Sequence, residues 1–139
     1  MELLLVLAII AIASAIVIPR ISSNSHNFQA QVRELSAVLK YNRRMAIVSS
    51  QLQQAKLFPY KEDSLPKKLK KGHWQSQGAD LIWLSSPAGE IHNQVVSIDF
   101  FPQGGATGGE LLLSQDQFKV KISIDGFTGK VVVDELDDE

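Results

Sequence analysis

The chain has 139 residues, with 14 Lys and Arg against 15 Asp and Glu and no cysteine. That length suits one domain of ordinary size, and the lack of thiols excludes a disulfide framework, a cysteine nucleophile and cysteine-ligated zinc. A net charge of −1 gives no overall pull toward nucleic acid or an anionic surface.

The first element is an apolar run. Leu3 to Ile18 is sixteen residues in which only Ser14 is polar, and Glu2 is the single charge among residues 1–19. As a helix, residues 1–18 span roughly 27 Å, just short of a hydrocarbon core of ~30 Å. A helix apolar on every side and buried in a soluble fold needs a larger protein around it than 139 residues supply. A cleaved signal would use Ala13-Ser14-Ala15 as its cleavage site, but no basic segment precedes the run and the run continues to Ile18. The remaining reading is a retained membrane helix, in which Glu2 becomes a candidate functional residue because a carboxylate deep in lipid costs about 2.5–3.5 kcal/mol.

Met-Glu-Leu-Leu-Leu-Val-Leu-Ala-Ile-Ile-Ala-Ile at 1–12, followed by Ala-Ile-Val-Ile-Pro-Arg at 15–20, resembles the N-terminal helix of type IV pilins and type II secretion pseudopilins. In that family a short basic leader ends in Gly and the mature chain opens Phe-Thr-Leu, so the resemblance places the leader and three mature residues upstream of Met1. It implies that Glu2 pairs with the N-terminal amine of a neighbouring subunit and that Pro19 kinks the helix. The expected organisation is a transmembrane helix over 1–19, held in the bacterial inner membrane, and a periplasmic head over 20–139.

Beyond Pro19, the polar Ser22, Ser23, Asn24 and Ser25 weaken the helix locally. Phe28, Val32, Leu35 and Leu39, with a second row of Val38, Met45 and Leu52, predict an amphipathic helix over about 26–53. From Lys56 the period changes. Candidate strands are Lys56–Tyr60, Asp80–Ser85, Val95–Phe101, Glu110–Ser114, Phe118–Ile124 and Lys130–Asp134, separated by Gly and Pro. In Phe118–Ile124, strict alternation puts Phe118, Val120, Ile122 and Ile124 on one face. Asp125-Gly-Phe-Thr-Gly129 reads as the turn of a final hairpin. The fold class expected is α+β and pilin-like: a long N-terminal helix, kinked at Pro19, packed on an antiparallel sheet over about 56–134.

Enzymatic signatures are missing. The glycine-dense stretch Gly104, Gly105, Ala106, Thr107, Gly108, Gly109 leads into Glu110-Leu-Leu-Leu, a strand pattern, whereas a phosphate loop leads into a helix and carries Lys. His26, His73 and His92 have no metal-ligand spacing and read as exposed surface residues. No G-x-S-x-G motif is present. No catalytic residue, cofactor or metal is therefore expected. Lys67, Lys68, Lys70 and Lys71 read as a solvated loop, with contact to phosphate or an acidic partner as the alternative. Trp74 and Trp83 divide between core and stacking roles. The acidic tail Asp134–Glu139 reads as a solubilising terminus, with Ca²⁺ as the alternative.

The stretch 96–113, in which a strand closes in Phe-Phe-Pro-Gln-Gly and a Thr-Gly-Gly loop follows, and the hairpin 120–131 with Thr-Gly-Lys-Val, resemble the GspH/FimT family of minor pseudopilins. The resemblance implies a structural subunit at or near the tip of the type II secretion pseudopilus, which helps export folded proteins across the outer membrane. Its implied partners are other major and minor pseudopilins, prepilin peptidase and inner-membrane lipid, with Gly104, Gly105, Thr107, Gly108 and Gly109 as a tip-contact loop. Nucleic acid is disfavoured because the acidic tail repels phosphate. Two alternatives stay open: a minor type IV pilin serving pilus assembly or DNA uptake, and an exported β-rich binding protein with a cleaved signal.

Overall fold

The computed structural model describes residues 2–61, 69–87 and 89–136, those at 14–25 by backbone alone. Element α1 (Glu2–Ser49) comes first. Eight strands follow: β1 (Gln53–Phe58), β2 (Trp74–Gln75), β3 (Asp80–Trp83), β4 (Ile91–His92), β5 (Val96–Phe100), β6 (Gly109–Gln115), β7 (Phe118–Ile124) and β8 (Val131–Leu136). They form two sheets, a three-stranded one ordered β2-β1-β5 and a five-stranded one ordered β4-β3-β6-β7-β8. All pairings are antiparallel except β1 with β2, which is parallel.

This architecture overturns the expected long N-terminal helix on one antiparallel sheet. The helical residues with described side chains fall into two stretches, 2–13 and 26–49, ahead of two sheets. Only the second is packed, since every residue of 2–13 is exposed. The reason is one of length. The longest strands have seven residues, about 23 Å, whereas the 26–49 stretch alone runs about 36 Å. The 26–49 stretch already overruns the strands, so residues further along the helix axis have no strand beneath them.

The expected single-pass inner-membrane anchor is overturned as well. Among the described residues no helix is long and apolar enough to cross a membrane. Pro19 and its expected kink lie outside the residues whose side chains are described.

The buried face of the 26–49 stretch carries Phe28, Gln31, Leu35, Leu39, Asn42 and Ala46, at spacings of three and four. Four of these are apolar and enter a core shared with Leu57, Trp74, Leu81, Ile98, Phe100, Leu111, Leu113 and Ile122. Val32 and Val38, expected on that face, are half-buried at its edge, and Leu52 is exposed. Gln31 and Asn42 take the inner positions because each satisfies strand or loop backbone that the helix would otherwise leave unpaired. The Gln31 side-chain oxygen accepts from the Gln77 N–H at 3.0 Å, and its amide donates to the Gln115 oxygen at 3.1 Å. The Asn42 amide donates to the carbonyls of Gly72 at 2.8 Å and Val38 at 2.9 Å.

Strand boundaries follow the same logic of pairing over propensity. β1 begins at Gln53, three residues before the expected Lys56, because Gln53 through Leu57 pair with β5. It ends at Phe58, since Pro59 has no N–H to donate. β7 spans Phe118–Ile124 as its alternation predicts, with Val120, Ile122 and Ile124 buried and Phe118 half-buried. β8 runs on to Leu136 despite its acids, with Asp134 opposite Lys121 across the ladder. β2 and β4 have two residues each, too few to show a period.

Candidate functional site

The packed helix defines two ends of the head. Phe28 stacks on Phe118 at one end, ring centroids 5.7 Å apart. At the other, the Arg43 Nε donates to the Thr128 carbonyl at 3.0 Å.

The Arg43 end contains the glycine-dense loop, which joins β5 of the smaller sheet to β6 of the larger. The loop folds back along β5: the Thr107 N–H donates to the Asp99 carbonyl at 3.0 Å, and the Asp99 N–H to Thr107 Oγ1 at 3.3 Å. The Ala106 N–H donates to the Gly126 carbonyl at 3.0 Å, tying the loop to the β7–β8 turn. Here glycine is a packing requirement. A Cβ on Gly105 would stand 2.9 Å from the Gly126 carbonyl oxygen, and one on Gly109, at φ +129°, would overlap the Trp83 ring. Thus Gly104, Gly105, Gly108 and Gly109 are all partly covered by neighbouring chain, and Thr107 is the exposed member of the set. Thr107, Gly108 and Gly109 also line a cleft of about 460 Å³ with Trp83 and Val96.

What this end offers to solvent is the turn instead. Phe127 is 95% exposed. It is held there by Asp125, whose carboxylate accepts from the N–H groups of Phe127 at 2.7 Å and Thr128 at 3.0 Å. Those two backbone donors hold the Asp125 carboxyl below its ordinary 3.8. Sequence reasoning singled out the glycines and passed over Phe127; a bulky apolar residue inside Asp-Gly-Phe-Thr-Gly was the available signal.

The opposite end leads to the apolar stretch. Leu3, Leu4, Leu5, Val6, Leu7, Ile9, Ile10 and Ile12 are each between 53% and 80% exposed. Glu2, also exposed, lies in the first helical turn, where a carboxylate interacts favourably with the helix dipole.

The other sequence candidates are scattered. His26 and His92 are exposed, and Glu90 lies 3.4 Å from the His92 ring. His73 is half-buried, its Nδ1 accepting from the Lys56 N–H at 3.1 Å and its ring edge-on to Phe58. Lys71 sits over the Tyr41 ring at 4.9 Å, while Lys67 and Lys68 lie outside the described residues. Trp74 is core, 1% exposed, its indole N–H without a hydrogen-bond partner among the described residues; Trp83 is half-buried against Gly109. Asp137, Asp138 and Glu139 lie outside the described residues, so the tail's Ca²⁺ alternative does too. Among the described residues no three His, Asp or Glu side chains come together as a metal site. Compared with known proteins, the chain matches no family model, no curated protein and no solved structure.

Proposed function

We propose that this chain is a structural subunit, a minor pseudopilin at or near the tip of the type II secretion pseudopilus, and that it works by assembly rather than catalysis. The observation that carries the reading is the exposed stretch 3–12, eight large apolar side chains with nothing in the monomer covering them. Burying one such side chain fully is worth about 1.5–3 kcal/mol, so the stretch is a strong drive to association. Because it is apolar on every side, a single flat partner covers only one face. Several neighbours around each helix, as at the centre of a filament, bury it completely.

The N-terminal resemblance supports the same reading, as do the loop and turn motifs of residues 96–131. Glu2 then serves as the registering charge. In an apolar assembly centre its carboxylate needs a cationic partner, and the N-terminal amine of a neighbouring subunit supplies one. Phe127 and Thr107 are the exposed residues with which the far end of the head meets other minor subunits.

The test is genetic and quantitative. Removing this chain from its host abolishes export of folded proteins, and Glu2→Ala lowers export while the head keeps its melting temperature. Unchanged export in both strains contradicts the proposal. Salt-sensitive binding of DNA by the purified chain would instead favour a type IV pilin role in DNA uptake.

A further inference from the structure

Strand β5 has two edges, and only one of them is paired along its length. On that edge it meets β1. On the other, the glycine-dense loop lies against its last residues. The Phe101 N–H donates to the Gly105 carbonyl at 2.9 Å, Phe100 bridges Ala106, and Asp99 bonds Thr107 through both its N–H and its carbonyl. Residues 105–107 thus act as a short antiparallel strand beside β5. The pairing stops there because the chain turns at Gly108 and Gly109, with φ of +72° and +129°, and enters β6 of the other sheet.

Ser97 is the next residue in line on this edge. Backbone groups that face one edge recur at every second residue, so Ser97 faces the way Asp99 does. The neighbouring strand agrees: Lys56, paired with Ser97, sends its N–H to His73 Nδ1 at 3.1 Å, away from β5. The Ser97 N–H and carbonyl therefore point off the sheet, with no partner for them among the described residues. Ser97 lines the cleft of about 460 Å³, to which both sheets contribute. Trp83, Ile91, Val95 and Val96 are its apolar lining, and none of the lining residues is ionisable.

We infer that this open edge takes a short extended segment of a partner protein, which adds a strand beside β5 in line with residues 105–107. An N–H and a carbonyl side by side on a strand edge match a peptide backbone, and one residue of an antiparallel segment satisfies both. The next residue of the segment, opposite Val96, shares the buried face of the sheet with it. Trp83 and Ile91 give the cleft an apolar wall, so that side chain is apolar. With no ionisable group in the lining, a charge on the segment loses hydration without gaining a partner, so the segment is uncharged. The site is separate from the 2–13 stretch and from Phe127; it goes beyond the assembly role and stands or falls without it.

Because the chain has no cysteine, a weakly bound segment can be held at the site by one disulfide. Full-length Gln94→Cys, at an exposed position in the cleft lining just before β5, is equilibrated in a thiol redox buffer with capped peptides of alternating Thr and Val. An antiparallel segment ends beside Gln94, so each peptide carries cysteamine at its C-terminus. The mixed disulfide, read by intact mass, is expected to resist reductant about tenfold better than that of cysteamine alone. N-methylation of the Val residues leaves this gain unchanged, whereas N-methylation of the Thr residues, which face Ser97, removes it. Moving the thiol to the N-terminus removes it too, as does Glu in place of the central Val. All of these changes are on the peptide, so the fold of the chain is not at issue. Peptides no more resistant than cysteamine overturn the inference. Equal loss from both N-methyl patterns, or none from either, assigns the cleft to side chains without an added strand and also overturns it.

Discussion

The helical stretches 2–13 and 26–49 have opposite surroundings. The first stretch is almost wholly Leu, Ile, Val and Ala, and every one of its residues is exposed. The second is mixed in composition, yet it is the one buried against two sheets, with Gln31 and Asn42 among its innermost positions. Apolar composition thus records how much a helix must bury somewhere, and polar residues placed on the inner row record where it does so within the monomer. Gln31 and Asn42 dock the packed stretch because they answer particular backbone groups on the strands and loops. The 2–13 stretch has no such specific partner groups, which suits a surface meant for other chains.

Mutations sharpen this contrast. The largest effect is expected at Leu39, fully buried at the centre of the packed face: Leu39→Ala lowers unfolding free energy by about 2–5 kcal/mol in a denaturant titration. Next comes Asn42→Ala, which strands the Gly72 carbonyl and costs about 1–3 kcal/mol. A loss below a few tenths there would break the claim that polar inner residues dock the helix.

A smaller effect belongs to the Asp125 turn. Its folded carboxyl sits below the ordinary 3.8, so the turn's stabilisation is fully present above that pH. It is lost as pH falls further, through the folded value. Asp125→Asn therefore flattens the acid limb of the stability profile by lowering stability at neutral pH, and leaves stability below the folded value little changed. The smallest effect is at Leu7, 60% exposed. Leu7→Ala changes monomer unfolding by no more than about 0.5 kcal/mol, although it weakens self-association; a core-sized loss would show that the monomer already buries it.

Much of the head was legible because its strands alternate. Phe118–Ile124 is assigned to the residue, and the Asp125–Gly129 turn follows from its glycines. Phe28, Leu35 and Leu39 were visible from their spacing. Gln31 and Asn42 were not, since a hydrophobic pattern marks where apolar atoms gather and is blind to a buried amide satisfied by a distant backbone. β2 and β4 escaped because two residues carry no period, and β2 owes its existence to the parallel pairing of Trp74 and Gln75 with β1. The apolar N-terminus invited a membrane reading because a sixteen-residue run with Ser14 as its single polar member does not distinguish lipid from neighbouring helices. At the candidate site, the glycine-dense loop was conspicuous for a local reason. Gly105 and Gly109 admit the Gly126 carbonyl and the Trp83 ring, and the exposed Phe127 beside them was overlooked.

The central claim is that the stretch 2–13 is an assembly surface. Sedimentation velocity on the full-length chain and on an Ile9→Ser, Leu5→Ser double variant, across a concentration series, tests it most directly. The account predicts concentration-dependent association into defined species for the parent chain. It predicts a marked shift to monomer for the variant, whose head melts at the same temperature. Identical sedimentation of the two chains at every concentration would contradict it.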